Sequence, residues 1–94
     1  MELRCELRPG KPVKGYTYVY ILQSDKVPTR HYTGLTDDLT DRLRRHNAGE
    51  VPHTAKYSPW TIRVAIAFHD RKRASEFEAY LKSHSGRVFA SRHF

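Results

Sequence analysis

Cysteine is almost absent from this sequence of 94 residues, in which Cys5 is the single example. One thiol excludes an intrachain disulfide and a cysteine-rich zinc site, and a lone unpaired cysteine is typical of a reducing compartment. Long apolar runs are missing too: the charged N-terminus has no signal-peptide core, and no segment approaches the roughly 20 apolar residues of a membrane span. These absences predict a cytoplasmic protein with no membrane partner.

The length of the chain allows one domain, since 94 residues leave no room for a second. Such a domain buries only about 60–65% of its unfolded surface, so we expect a shallow site on an open face, which suits a polymer better than a small metabolite. Seventeen Lys and Arg against ten Asp and Glu give a net charge of +7. This excess favours polyanionic partners, because neutralised phosphates release counterions, although an inert basic protein would carry the same charge.

The N-terminal half predicts a strand hairpin behind a lead-in segment. Residues 1–14 mix charges with Pro and Gly without a clear period, and they are predicted to be loosely ordered before a domain at 15–94. Residues 16–23 (YTYVYILQ) are rich in β-branched and aromatic side chains, which predicts a strand. Residues 31–35 (HYTGL) can form the returning strand, so the domain is expected to begin with a hairpin.

The remainder of the chain predicts two helices separated by a strand. Asp37 or Asp38 can cap the first helix, and Gly49 lies just past its end. Residues 60–68 (WTIRVAIAF) predict a central, buried strand, a second helix follows it, and residues 85–94 form a short basic tail. The predicted fold class is therefore α/β (α+β): a three-stranded, mainly antiparallel sheet flanked by helices, in the order β-β-α-β-α.

Two tyrosine tripeptides lie on the predicted hairpin, Tyr18–Tyr20 (YVY) and Tyr32–Gly34 (YTG). Arg42 follows on the first helix, His46 lies one helical turn beyond Arg42, and Glu78 lies on the second helix. Together these residues form a pattern that resembles the GIY-YIG nuclease superfamily, especially its compact single-domain bacterial members. The resemblance covers most of the chain and implies the GIY-YIG domain fold.

The resemblance also implies an endonuclease that hydrolyses DNA phosphodiesters with one divalent ion, Mg²⁺ or Mn²⁺. In that mechanism Glu78 binds the metal ion, Arg42 stabilises charge on the phosphoryl oxygens, and Tyr32 activates the attacking water. His46 can relay the proton, and Tyr20 can hydrogen-bond the water or the phosphate. These five residues are the predicted catalytic set.

Several of these residues also have a purely structural interpretation. Glu78 can be a surface carboxylate in a salt bridge, and His46 can be an exposed cation at a helix end. Arg42 can belong to a solvated helix face, as its neighbours Arg44 and Arg45 are expected to do. From the isolated helices alone, the structural interpretation of Glu78 would be preferred, and the family resemblance reverses that preference.

Some positions depart from the family pattern or support it indirectly. Leu35 stands where some relatives carry a lysine, and the late asparagine of larger relatives is missing, for which Ser85 or Ser91 can substitute. Gly34 is predicted to allow a turn or a close approach of the backbone. Trp60 is expected in the core rather than in a binding surface.

The predicted partner is DNA, because five further residues combine positive charge with an aromatic stacking surface and can form a substrate groove. These predicted nucleic-acid-binding residues are Lys56, Tyr57, Arg71, Lys72 and Arg73. A monomer with one active site and no appended DNA-binding module should cut one strand per event, which favours single-stranded or branched DNA, with duplex DNA also possible. The alternatives are a non-catalytic nucleic-acid-binding module on the same scaffold, or a ribonuclease.

Overall fold

A computed structural model describes residues 15–94, so the predicted lead-in at 1–14 and Cys5 lie outside the described residues. The predicted order β-β-α-β-α is confirmed, with one additional helix at the end. The elements are β1 (Thr17–Ser24), β2 (His31–Thr36), α1 (Leu39–Asn47), a 3₁₀ turn (Ala55–Tyr57), β3 (Trp60–Phe68), α2 (Arg71–Leu81) and α3 (His84–His93).

The three strands form one antiparallel sheet in the order β2-β1-β3. The prediction that β3 is the central strand is wrong, because β1 occupies the centre and β3 lies at an edge. The apolar run in β3 is misleading because Ala65 and Ala67 are small and exposed, whereas nearly every residue of β1 is buried. Burial on both faces is the property of a central strand, and only β1 has it.

A β-bulge interrupts the pairing of β1 with β3. Ile21 pairs with Val64 and Leu22 pairs with Ile62, so Arg63 is the extra residue of the bulge. The covered residues of β3 therefore lie on one face of the sheet before the bulge and on the other face after it. Arg63 is exposed as a result.

Helices cover both faces of the sheet and define two hydrophobic clusters. On one face Val19 and Ile21 pack against Ala74 and Leu81 of α2, with Phe89 of α3 beside them. On the other face Tyr20 and Leu22 of β1 form a second cluster with Trp60 of β3 and with Leu39 and Leu43 of α1. Trp60 is 4% exposed, so its predicted place in the core is confirmed.

The ends of α1 follow the capping rules that its sequence predicts. The Asp38 carboxylate accepts a hydrogen bond from the Asp41 backbone amide at 3.0 Å, which satisfies one free N–H of the first turn. Gly49 follows the C-cap with φ of 77°, a left-handed conformation that favours glycine. The Glu50 amide then donates to the Arg45 carbonyl at 3.0 Å, closing a Schellman motif.

The predicted C-terminal tail is instead a helix, α3. The Ser83 hydroxyl caps it by accepting from the Gly86 amide at 3.1 Å. A Cβ atom at Gly86 would lie 2.6 Å from Leu81 Cα, so glycine lets α3 approach the end of α2 closely. Ser-Gly is a common turn signal, which explains why the sequence alone did not indicate a helix here. No helix within residues 15–94 has the length and apolarity to cross a membrane.

Candidate active site

Three aromatic rings from β1, β2 and α1 meet on the α1 side of the sheet. Tyr32 pairs with Leu22 and so projects on the same face as Tyr20, and the two phenol ring centres are 6.3 Å apart. The His46 ring lies 6.0 Å from the Tyr20 ring and 4.7 Å from the Tyr32 ring. The structure therefore brings together the two tyrosines and the histidine that the sequence motifs single out.

Gly34 makes room for the Tyr20 ring rather than forming a turn. It lies inside β2, directly opposite Tyr20 across the strand pair. A Cβ atom at this position would lie 2.5 Å from Cζ and 2.9 Å from Cε1 of Tyr20. Of the two roles predicted for Gly34, the turn is wrong, and the close approach is the role that the geometry supports.

A buried hydrogen-bond chain fixes the orientation of His46. Thr54 Oγ1 lies 3.3 Å from the Val51 carbonyl, to which its hydroxyl donates, so it must accept from His46 Nδ1 at 2.8 Å. Nε2 of His46 is then the unprotonated nitrogen and accepts from the Tyr20 hydroxyl at 3.1 Å. Both ring nitrogens are occupied, and His46 acts here as a positioning partner of Tyr20.

His46 is fully buried, which rules out the exposed helix-terminal cation considered from the sequence. Burial, followed by the charge of the nearby Arg42 guanidinium, lowers the pKa of His46 below its ordinary value. The imidazole is therefore neutral at pH 7. Neutrality agrees with an Nε2 atom that accepts a hydrogen bond.

The pKa of the Tyr20 phenol is shifted by burial and by the charges of its neighbours. Burial is the largest cause that raises the pKa of Tyr20 to about 12, and the charges of Tyr32 and Glu78 act in the same direction. Arg42 opposes them through its charge and through a hydrogen bond. Residues from three other elements, β2, α1 and α2, thus act on one phenol, and that phenol remains protonated at neutral pH.

Glu78 lies on the inward face of α2. It is four residues after Ala74 and three before Leu81, both of which are buried, and its own side chain is 20% exposed. Its Oε2 atom forms an ion pair with Lys82 Nζ at 2.7 Å. The salt bridge considered from the sequence is present, and the charge of Glu78 nevertheless acts on Tyr20, whose pKa it raises.

The donor set at Glu78 suits one kind of metal ion. No cluster of three or more His, Cys, Asp or Glu side chains that could hold a metal occurs within the described part of the chain. Mg²⁺ does not require such a cluster, because it is commonly held by one or two carboxylates, retained waters and a substrate phosphate. Glu78, a single and partly exposed carboxylate, fits that requirement.

Arg42 differs from the other arginines of α1 in its surroundings. It is half-buried and lies one turn before His46, on the side that faces Tyr20. Arg44 and Arg45 are exposed and pair with Asp41 at 3.2 and 2.9 Å, as expected of a solvated helix face. The guanidinium of Arg42 is thus the α1 cation placed beside the phenols.

The five predicted nucleic-acid-binding residues do not form one groove. Tyr57 lies beside Ser24, the last residue of β1. The Ser24 hydroxyl donates to the Tyr57 carbonyl at 2.6 Å. Arg71 lies at the opposite end, where it pairs with Asp37 at 2.8 Å, and Asp37 accepts from Thr17. From Thr17 to Ser24, β1 takes seven residue-to-residue steps, so these ends are roughly 23 Å apart.

Sequence reasoning overlooked several residues around these features. Arg30 lies 4.7 Å from the centre of the Tyr57 ring, an arrangement that no spacing signal indicated. Asn47 pins α1 to β3, because its amide donates to the Trp60 carbonyl at 3.2 Å and accepts from the Trp60 amide at 2.6 Å. Lys82 could have been found, since a Glu and a Lys four apart on a helix commonly pair.

The positions that depart from the family pattern have clear structural places. Leu35 packs against the cluster formed with α2 and α3, so it contributes to the core. Ser85 is exposed on α3. Ser91 donates to the Val88 carbonyl at 2.9 Å and lines a cavity beside the site.

Tyr32, Arg42 and Glu78 thus all act on the pKa of Tyr20, and comparison with known proteins identifies the family that carries these residues. The family model described as GIY-YIG catalytic domain matches residues 16–91. The chain belongs to the GIY-YIG family.

Three curated relatives illustrate this relationship. The chain is 39% identical over 77 residues to structure-specific endonuclease subunit SLX1 of Candida dubliniensis, covering 74% of this chain and 27% of that protein. It is 32% identical over 65 residues to the SLX1 homolog of Giardia intestinalis, covering 65% and 18%. It therefore spans only a minor part of both. It is also 34% identical over 74 residues to the UPF0213 protein SpyM3_1077 of Streptococcus pyogenes serotype M3, covering 74% and 75%.

Proposed function

We propose that this chain is a metal-dependent DNA endonuclease that hydrolyses one phosphodiester per event. The observation that carries the proposal is the meeting of the Tyr20, Tyr32 and His46 rings, whose centres lie 4.7 to 6.3 Å apart. The charges of Arg42 and Glu78 act on the pKa of Tyr20 from two helices. The match to the GIY-YIG catalytic domain supports the same conclusion.

The two phenols have different tasks in this mechanism. Tyr20 keeps its proton, and its hydroxyl donates a hydrogen bond to His46 Nε2. Tyr20 is therefore not available as a base at neutral pH. Tyr32 is then the phenol placed to take a proton from the attacking water. Tyr20 and His46 fix the position of the rings, and Arg42 offers a planar pair of donors to the phosphoryl oxygens as their charge grows.

Glu78 is the proposed ligand of the metal ion, Mg²⁺ or Mn²⁺. When bound there, such an ion supplies Lewis-acid stabilisation of the departing 3′-oxygen. Lys82 pairs with Oε2 of Glu78 and would compete with a metal ion for that oxygen. A Lys82 ammonium released from Glu78 could pair with a DNA phosphate instead.

Single-stranded or branched DNA is the proposed substrate. Two relatives carry the name structure-specific endonuclease subunit, and selection of unpaired or branched DNA would be a structure-specific activity. A single active site on a small monomeric domain fits cleavage of one strand at a time. The net charge of +7 supports binding to the phosphate backbone without demanding a defined sequence.

The test combines substrate choice with two matched pairs of variants. Labelled single-stranded, duplex and branched DNA are incubated with and without Mg²⁺ or Mn²⁺. We expect Glu78→Gln to abolish cleavage and to retain DNA binding, whereas Glu76→Gln, an exposed neighbour on α2, keeps full activity. Arg42→Ala should lose about 10²–10³ in rate with a smaller loss of affinity, while the exposed Arg45→Ala should not.

Three outcomes would contradict the proposal in different ways. Cleavage that persists in Glu78→Gln would remove the proposed metal ligand. Binding without cleavage of any DNA under all metal conditions would favour the non-catalytic module. Cleavage of the matching RNA in preference to every DNA would favour the ribonuclease.

A further inference from the structure

A cavity of about 440 Å³ opens next to the candidate active site, on the α2–α3 side of the sheet. Tyr32 and Lys82 line it, and both also belong to the surroundings of the site, since Lys82 pairs with Glu78 at 2.7 Å. The cavity therefore borders the candidate site at Tyr32 and Lys82. Neither the sequence motifs nor the proposed catalytic roles use this space.

The rim of the cavity carries positive charge. Arg63, Lys82 and Arg87 line it, and none of its described lining residues is acidic. The bulge in β3 turns Arg63 towards this side, where its guanidinium donates to Gln23 Oε1 and to the Phe94 carbonyl, each at 3.0 Å. Arg87 donates to the Lys82 carbonyl at 3.0 Å. Partly anchored cations of this kind favour an anionic ligand.

The floor of the cavity is apolar and includes an aromatic ring. Ile21 and Leu81 contribute buried side chains, and Ala90 and Phe94 complete the surface. His31 stands at the mouth, where burial and then the charge of Arg63 lower its pKa, so it presents a neutral ring. A ligand that fills this space therefore needs a flat apolar part and an anionic part.

We propose that the cavity receives an unpaired nucleotide next to the scissile phosphate, with its base on the apolar floor and its phosphate at Arg63, Lys82 and Arg87. This proposal rests on the endonuclease function and deepens it, because it names the feature of DNA that the site selects. A base in a duplex would first have to unpair and unstack to enter, whereas a single-stranded or flap nucleotide enters without that cost. The cavity thus makes the domain selective for unpaired DNA.

The base contact is tested with DNA that lacks one base. The cleavage site is first mapped on labelled single-stranded DNA, and oligonucleotides with an abasic position at each flanking nucleotide are then compared. One abasic position beside the scissile bond should weaken binding by about 5- to 150-fold, the usual range for loss of one stacked base. His31→Trp, which places a large ring in the mouth, should abolish that difference.

Two controls separate the cavity from the chemistry. Hydrolysis of bis(p-nitrophenyl) phosphate, a small diester without flanking nucleotides, should be unchanged in His31→Trp. Arg92→Gln, an exposed change on α3 away from the cavity lining, should keep the preference for the intact base. If His31→Trp does not fold, Arg87→Gln tests the phosphate contact: it should weaken binding several-fold and reduce the salt dependence by about one ion, whereas Arg92→Gln should not.

The outcomes distinguish this proposal from the function on which it rests. If the protein cleaves DNA but binds intact and abasic strands equally at every position, the cavity proposal is overturned and the endonuclease stands. Equal loss in Arg87→Gln and Arg92→Gln would likewise overturn it. If neither DNA nor the small diester is hydrolysed under any metal condition, the endonuclease proposal itself fails.

Discussion

Gly34→Ala should inactivate the domain through a single added methyl group. The new Cβ would lie 2.5 Å from Cζ of Tyr20, whereas carbon atoms pack best at about 3.5–4.0 Å. The Tyr20 ring would therefore have to move by about 1 Å, although it is only 1% exposed and packed on all sides. Since it also donates to His46 at 3.1 Å, a shift of that size would weaken the hydrogen bond that orients both rings.

The magnitudes follow from packing and hydrogen bonding. Adding bulk to a well-packed core costs about 1–3 kcal/mol, and losing a hydrogen bond adds about 0.5–1.5 kcal/mol. Gly34→Ala should thus lower the free energy of unfolding by about 2–4 kcal/mol. A displacement of about 1 Å at a catalytic centre costs about 10² in rate, so the folded variant should cleave DNA at least that much more slowly.

Gly49→Ala provides the matched control. Gly49 has φ of 77°, which costs an L side chain about 1–2 kcal/mol, but its Cβ would meet nothing closer than 3.9 Å. Urea unfolding followed by the fluorescence of Trp60, the single tryptophan, gives the stability of each variant. The rate of DNA cleavage is then measured where both are folded. A fully active, folded Gly34→Ala would refute the close approach of Tyr20 to β2.

Two more predictions concern charge. Lys82→Met should tighten Mn²⁺ binding several-fold, because the ammonium no longer competes for Glu78. The affinity is measured by calorimetry without DNA, and an unchanged affinity would show that the ion pair is irrelevant to the metal. Since the pKa of His46 is lowered by burial and then by Arg42, only the unfolded chain gains its proton near pH 6.5. The free energy of unfolding should therefore decrease as pH falls from about 6.5 towards the pKa of His46 in the folded protein. His53→Gln should show the same decrease as the native chain. A flat profile would contradict a buried neutral imidazole.

The hairpin, both predicted helices and their caps could be derived from the sequence because their signals are local. Asp38 and Gly49 mark the ends of α1 through backbone chemistry that neighbouring residues decide. The position of β3 could not be derived in this way, because strand order depends on which faces the helices cover. The final helix was also missed, since Gly86 serves contact with α2 there rather than a turn.

The candidate site shows the same division between local and tertiary information. The family resemblance singled out Tyr20, Tyr32 and Glu78 from short motifs, and the structure brings them together. The partner of His46 could not be predicted, because Thr54 lies in a loop with no pattern of its own. The split of the basic residues between opposite ends of the sheet likewise depends on topology alone.

The bulge in β3 has a consequence for how this strand can change in evolution. Trp60 and Ile62 fill one cluster while Val64 and Ile66 face the other, and Arg63 is the single residue that allows this exchange of sides. Deletion of one residue at the bulge would turn Trp60 outwards and would also remove Arg63 from the cavity. Insertions and deletions should therefore be tolerated in the neighbouring loops and rejected within this strand.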